Sequence, residues 1–288
     1  MSVQTELFTA LTEQNGACVI NGQVSDVISV RDRGLAYGDG VFTTGLIDQG
    51  RLINQSGHIQ RLVESCQRLA LPSPDLSSLT EQLTSFCQYH QQGVLKVMLT
   101  AGVGGRGYSR QGLPEQASQL NVIIQYSPYP EHYNEWQQKG IKLGIAETKL
   151  GVNPQLAGIK HLNRLEQVLA RRELDNSEYD DLIVTDFNDC IIEVCAGNVF
   201  WLKAGRWHTP TLDKAGVDGL MRQQILSKVP DVIQCRIKRN EFIELIKSEV
   251  ITEIFVCNSV MGVVPVSSVC GQSLAMECGL SVQGSFND

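Results

Sequence analysis

Gly158-Ile159-Lys160-His161-Leu162-Asn163-Arg164-Leu165-Glu166 sets one lysine behind small and apolar residues, and Ile191-Ile192-Glu193-Val194-Cys195-Ala196-Gly197-Asn198-Val199-Phe200 sets one carboxylate in an apolar, strand-like run. Together they read as a pyridoxal phosphate (PLP) site. A lysine amine can form an imine with the cofactor aldehyde, and a carboxylate facing the pyridine nitrogen keeps it protonated, so that the ring draws electrons from the substrate. Each half also has an ordinary reading: a lysine ahead of a helix is commonly solvated, and a lone Glu commonly lies on the exposed face of an edge strand. The neighbours of Lys160 (Leu156, Ala157, Gly158 and Ile159) favour partial desolvation, which lowers an amine's pKa.

The 288-residue length predicts one large or two moderate cores, and two are favoured. Ser127-Pro128-Tyr129-Pro130-Glu131-His132 suits an extended connector, which gives a small N-terminal α/β domain over residues 1–126, a linker over 127–135, and a larger C-terminal domain over 136–288 that carries Lys160. Apolar residues make up 42% and charged residues 19%, with no window apolar enough for a membrane span and no leader pattern over residues 1–17, so a cytoplasmic protein without a membrane partner is expected. The net charge of −7 argues against nucleic acid as partner and for a small molecule. Nine scattered cysteines without a CxxC pair read as reduced, mostly buried thiols, and five dispersed histidines without ligand spacing make a metal site unexpected.

Along the chain, Ala17 to Gln23 reads as a strand entering an Asn-Gly hairpin turn. His58 to Ala70 carries Ile59, Leu62, Val63, Cys66 and Leu69 at helical spacing, and a second helix is expected from Leu76 to His90. Strands follow at Val94 to Thr100 and Leu120 to Tyr126. Beyond the connector, strands are expected at Gly140–Thr148, Asp181–Thr185, Val199–Leu202 and Glu253–Cys257, with helices at Leu162–Leu174, Val217–Lys228 and Glu241–Ser248.

Three further segments invite chemistry. Arg31 to Thr44 packs Gly34, Gly38, Gly40, Tyr37, Thr43 and Thr44 into one span, the density of an active-site loop. Gly102-Val103-Gly104-Gly105-Arg106-Gly107 satisfies G-x-G-x-x-G but is followed by Tyr108 to Pro114, which starts a helix poorly, so it reads as a mobile loop offering Arg106, with Arg110, to a carboxylate, or as a plain surface turn. Lys214 to Arg222 enters a helix through glycines, either as a phosphate-binding N-terminus or as a start capped by Asp218. Arg61 lies off the apolar stripe of its helix, which by pattern alone is a solvated position.

In one order along nearly the whole chain stand Tyr37-Gly38-x-x-Val41-Phe42, Arg61 in His58-Ile59-Gln60-Arg61-Leu62, Lys160, Glu193 with Asn198-Val199-Phe200, Gly219-x-x-Arg222, and Asn258-Ser259 with Pro265-Val266. This set resembles the fold-type IV PLP enzymes, the group of branched-chain aminotransferases, D-amino acid transaminases and 4-amino-4-deoxychorismate lyases. Gly40 to Thr44, Gly104 to Ser109 and Leu156 to Gln167 resemble the bacterial lyases most. Branched-chain aminotransferases typically carry Glu-Gly at the positions of Thr43-Thr44, and a tyrosine at that of Arg164.

The resemblance implies an α/β (α+β) two-domain fold with a barrel-like C-terminal domain, the cofactor in the cleft between the domains, and a homodimer. It implies that Lys160 forms the imine and serves as base, that Glu193 meets the pyridine nitrogen, and that Arg61, the backbone of Leu220 and Met221, and Ser259 hold the phosphate. Tyr37, Thr43 and Arg106 would face the substrate, with Thr43 assisting the departing oxygen, and the roles of Asn163 and Arg164 stay open. The activity implied is elimination of pyruvate from 4-amino-4-deoxychorismate to give 4-aminobenzoate for folate synthesis; the alternative is a D-amino acid or branched-chain aminotransferase.

Overall fold

The computed structural model describes residues 18–111, 120–229 and 231–284, so the expected absence of a leader over residues 1–17 and part of the Tyr108–Pro114 reading lie outside the described residues. The chain forms two compact units. One comprises the described residues up to Tyr129 together with Lys160–Asn163, the other those of Pro130–Ile159 and from Arg164 onward.

In the first unit, β1 (Cys18–Ile20) turns through Asn21 and Gly22 into β2 (Gln23–Val24); both turn residues have positive φ, 52° and 77°, as a tight hairpin of primed type requires. There follow α1 (Arg33–Tyr37), β3 (Gly40–Asp48), β4 (Arg51–Leu52), α2 (Gln55–Arg68), α3 (Leu76–Cys87), β5 (Gln92–Thr100) and β6 (Asn121–Ser127). The strands make one antiparallel sheet in the order β2-β1-β6-β5-β3-β4. The span read as an active-site loop is therefore mostly regular structure, with helix α1 at Arg33–Tyr37 and loop only around it up to Asp39. From Gly40 it is a nine-residue strand, paired with β5 from Gly40↔Thr100 to Asp48↔Gln92. Its two faces differ: Val41, Thr43, Gly45 and Ile47 are buried, while Phe42, Thr44, Leu46 and Asp48 are half-buried, the period of two that a sheet packed on one side produces. Helix α2, which starts three residues before the expected His58, packs on β3 through its stripe of Leu62 and Cys66.

The second unit runs α4 (His132–Lys139), β7 (Ile141–Leu150), α5 (Leu165–Leu174), β8 (Asp181–Asp186), β9 (Ile191–Val194), β10 (Asn198–Lys203), β11 (Arg206–Pro210), α6 (Leu220–Lys228), β12 (Ile233–Cys235), α7 (Arg239–Lys247), β13 (Ile251–Asn258), β14 (Gly262–Val269), β15 (Gln272–Ser273) and α8 (Glu277–Gly284). Helix α4 occupies the end of the segment read as an extended linker, because extension is imposed only around Pro128 and Pro130. The sheet is mixed, in the order β12-β11-β10-β13-β14-β7-β8-β9, with β15 beside β14.

Connectivity forces this sheet to curl. Five inter-strand steps separate β10 from β9, about 24 Å in a flat sheet at ~4.8 Å per step, whereas three intervening residues reach only about 13 Å. The turn is closed as well, with the Val194 N–H donating to the Gly197 carbonyl at 2.8 Å. The result is a curled, half-barrel sheet, and the architecture is the mixed α/β one expected. Its interior holds Val199, Trp201, Phe242, Ile254, Val256 and Val264, each at most 1% exposed.

No disulfide joins the nine cysteines, but only Cys66, Cys87, Cys190 and Cys257 are buried, fewer than expected, because Cys270 and Cys278 fall outside the packed strands. Among the described residues no helix is long and apolar enough to cross a membrane, and no group of three His, Cys, Asp or Glu stands ready for a metal ion.

Candidate active site

In the first unit, Lys160–Asn163 lies antiparallel to the start of β3. The Phe42 N–H donates to the Lys160 carbonyl at 2.9 Å, the Leu162 N–H to the Gly40 carbonyl at 3.0 Å, and Val41 bridges His161. Lys160 was expected on the C-terminal domain, but main-chain bonding to β3 puts it with the first unit. The half-buried Lys160 side chain sets Nζ 4.6 Å from the centre of the Phe42 ring, a cation–π distance. Asn163 Nδ2 donates to the Gly38 carbonyl at 3.0 Å, beside a backbone whose φ of 63° suits glycine.

Strand alternation separates the two threonines of β3. Thr43 is 1% exposed on the face of β3 that packs on α2, and its Oγ1 lies 2.6 Å from His58 Nδ1. Thr44, one residue on, shares the opposite face with Phe42, and so with Lys160. A period-two reading of Val41 to Asp48 would have separated the two hydroxyls from sequence alone.

His58 is buried against Gly45, where a Cβ would stand 2.5 Å from Nε2, and that nitrogen has no hydrogen-bond partner. Burial chiefly, then the positive charges of Arg61 and of Lys160, pull its pKa down from 6.5 to about 3. The imidazole is therefore neutral at working pH, and Arg61 and Lys160 act on it from one neighbourhood. Between pH 6.5 and 3 the unfolded chain takes up a proton that the folded chain refuses, so stability present above 6.5 is lost as pH falls through this window. We expect His58→Gln, which keeps a polar partner for Thr43, to be less stable than wild type at pH 7, with a gap that shrinks by about 2 kcal/mol at pH 5. Urea unfolding of both proteins at both pH values measures this. Asp181, pushed up to about 6 by burial, titrates in the same window in both proteins and drops out of the difference. A pH-independent gap would mean that His58 is not held neutral.

In the second unit, Glu193 is not on a solvated face: it is 5% exposed, and Oε2 accepts the Val217 N–H at 2.8 Å. Gly216, at φ 82°, lets the chain pass, since a Cβ there would meet Ile192 at 2.6 Å and Glu193 Oε2 at 3.3 Å. Asn198 extends the frame, accepting from the Gly219 N–H at 3.1 Å and donating to the Val217 carbonyl at 2.8 Å. The N-cap of α6 is Gly219 rather than Asp218, with no side-chain cap bond. Asp218 is drawn away by Arg222, whose Nη1 bonds its Oδ1 at 2.6 Å. The helix thus begins with Leu220 and Met221 carrying amides of the kind that bind an anion. Asn258 tethers the loop that bears Ser259: its Oδ1 accepts the Val260 and Met261 amides at 2.8 Å, and its Nδ2 donates to the Ala196 carbonyl at 3.0 Å. Arg164 donates to the Ile159 carbonyl at 2.7 Å; burial lowers its pKa against the opposing carboxylates of Glu193 and Glu166. Sequence reasoning missed Asn198 as the link between Glu193 and α6, for which Asn198-Val199-Phe200 was the only signal.

Tyr37 ends α1, 40% exposed, its ring 5.4 Å from that of Tyr108 in edge contact. Arg106 is exposed in the glycine-rich loop. Arg110 is not offered outward: it bonds Asp39 and donates to the Leu69 carbonyl at 2.5 Å. Nor is the loop slack, for its carbonyls are taken up by a buried arginine.

The Amino-transferase class IV family profile matches residues 40–269. The aminodeoxychorismate lyase of Vibrio harveyi is 34% identical over 251 residues, 87% of this chain and 90% of that protein. The solved structure of 4-amino-4-deoxychorismate lyase from Pseudomonas aeruginosa superposes with a TM-score of 0.83 at 33% identity, covering 93% of this chain and 97% of that one. A branched-chain amino acid aminotransferase from Escherichia coli shares the fold, with a TM-score of 0.80 at 20% identity over 95% and 94% of the two chains.

Proposed function

This chain belongs to the amino-transferase class IV family, and from that premise we propose that it is a PLP-dependent 4-amino-4-deoxychorismate lyase, which releases pyruvate and leaves 4-aminobenzoate for folate synthesis. The observation that carries the lyase reading over transamination is Thr44. It puts a hydroxyl on the Phe42 and Lys160 face of β3, where branched-chain aminotransferases typically have glycine. Elimination needs a donor for a departing oxygen, and amino-group transfer does not.

The residues suit the cofactor: an uncapped helix start for a phosphate, a buried carboxylate for a pyridinium, and a half-buried amine. Arg61, the Leu220 and Met221 amides and Ser259 would hold the phosphate, and Glu193 would keep a proton on the ring nitrogen. When bound, PLP supplies an aldehyde for the substrate amine and a ring that accepts the electron pair released at the amine-bearing carbon. Lys160 would anchor the cofactor, and its free amine would take the proton from that carbon. Thr44 donates to the ether oxygen as its bond to the ring breaks, so the enol leaves and becomes pyruvate, and the six-membered ring becomes aromatic. Arg106 meets a substrate carboxylate and Tyr37 borders the substrate, so much of the task is orientation. A homodimer in the cytoplasm, and a division of labour between domains over 1–126 and 136–288, belong to the same proposal.

Two valine substitutions test the face assignment. Thr44→Val is expected to lower kcat about 10²-fold with cofactor content unchanged, as loss of a general acid does. Thr43→Val is expected to cost about 1–3 kcal/mol of stability through its buried hydrogen bond, with kcat within a fewfold of wild type. The opposite pattern, Thr43→Val losing turnover and Thr44→Val keeping it, would overturn the assignment. An amino-group half-reaction with D-alanine or L-leucine at a rate matching or exceeding pyruvate release would favour the aminotransferase.

A further inference from the structure

Arg33 is 3% exposed, a burial that a guanidinium tolerates only when its donors are satisfied. Its Nε donates to Asp39 Oδ2 at 2.8 Å. Its remaining bonds run to the main chain of a single loop: Nη1 to the carbonyls of Gly104 at 3.4 Å, Gly107 at 3.1 Å and Ser109 at 3.1 Å, and Nη2 to that of Tyr108 at 3.0 Å. The guanidinium also lies 5.0 Å from the centre of the Tyr37 ring, and Tyr37 in turn touches Tyr108.

Four carbonyls turned toward one cation is an arrangement that neighbouring peptide dipoles resist unless the cation is there. The loop's glycines make it sterically accessible. Gly104, Gly105 and Gly107 have φ of 143°, 72° and 61°, and a Cβ on Gly105 would stand 2.3 Å from the Ser109 carbonyl oxygen and 3.0 Å from Arg33 Nη1. The G-x-G-x-x-G pattern is thereby explained as the loop's wrapping around a side chain of its own unit. Lysine does not substitute: one ammonium has three donors on a single atom, against five donors in a planar fork.

We propose that Arg33 is a positioning residue for substrate recognition: it clamps the loop from Gly104 to Ser109 so that Arg106, held between two anchored glycines, and the Tyr37–Tyr108 pair are presented in fixed directions. The functional half of this rests on the reading of Arg106 as the group that meets a substrate carboxylate.

The test compares PLP-loaded wild type, Arg33→Lys, Gly105→Ala, Arg106→Ala and the Arg33→Lys/Arg106→Ala double variant. Arg33→Lys keeps a cation for Asp39, so the fold has its ion pair, while the carbonyl clamp is lost. For Arg33→Lys and Gly105→Ala the expected results are KM for 4-amino-4-deoxychorismate raised roughly tenfold or more with cofactor absorbance and stoichiometry unchanged, and faster tryptic cleavage after Arg106, followed by mass spectrometry. In the Arg106→Ala background, Arg33→Lys is expected to change KM by a clearly smaller factor than in wild type, since much of its effect runs through Arg106. Wild-type cleavage and KM in Arg33→Lys would overturn the proposal, and so would KM losses that multiply in the double variant. Arg106→Ala with normal KM would overturn the reading of Arg106 instead; cleavage after Arg106 in Arg33→Lys would still report on the clamp.

Discussion

Lys160→Ala is expected to reduce pyruvate release by about 10⁴-fold or more, because in the proposed mechanism one side chain both anchors the cofactor and moves the proton. The fold should be unaffected. The Lys160 segment is fixed by main-chain groups, the Lys160 carbonyl accepting from Phe42 and the Leu162 N–H donating to Gly40, and alanine leaves both bonds in place. What disappears is an amine 4.6 Å from the centre of the Phe42 ring. Borohydride should fix PLP to wild type at Lys160, read as an added mass on the peptide containing it, and should fix none to Lys160→Ala. The variant should still bind PLP reversibly through its phosphate contacts. Turnover within tenfold of wild type in a protein shown by mass to carry the substitution would remove Lys160 from the mechanism.

Glu193→Gln is the second large effect, expected at about 10²-fold in kcat. An opposite charge within hydrogen-bonding range commonly moves a pKa by one to three units, and each unit would be tenfold in the protonated fraction of the ring nitrogen that Glu193 is proposed to meet. Glutamine is nearly isosteric and its carbonyl can still accept the Val217 N–H that Glu193 now accepts at 2.8 Å, so the strand and the α6 approach should keep their places. The test pairs kcat with the absorbance of the bound cofactor across pH. A kcat loss without any spectral change would point to displaced geometry instead of lost charge; unchanged kcat would take Glu193 away from the ring nitrogen.

Much of the fold was legible because local chemistry fixes it. Asn21-Gly22 dictates its hairpin through two left-handed backbones, and Leu62 and Cys66 mark the buried stripe of α2 at helical spacing. Strand β3 was harder: Gly40, Thr43, Thr44 and Gly45 have turn-like and polar composition, and only pairing with β5 over its whole length makes them a strand. Reading the span as a loop also hid the direction of its two hydroxyls, for Thr43 and Thr44 are alike in composition and lie on opposite faces of β3.

The attachment of Lys160–Asn163 to the first unit had no local signal at all. It depends on a bridge between Val41 and His161, distant in sequence, and a contact of that kind is decided by topology. Arg33 was likewise invisible as a clamp. An arginine in a glycine-rich, charged stretch reads as a surface group until the four carbonyls around it are seen. By contrast Glu193 was recognisable, since a carboxylate among Ile191, Ile192, Val194 and Cys195 demands a partner, and the structure supplies one partner in the Val217 amide.

The most direct test of the whole account is to mix PLP-loaded protein with 4-amino-4-deoxychorismate and count both products, pyruvate through a lactate dehydrogenase couple and 4-aminobenzoate by its fluorescence. The expected result is sustained release of the two in equal amounts over many turnovers. Absence of pyruvate from fully loaded protein that converts D-alanine or L-leucine to the keto acid would contradict it.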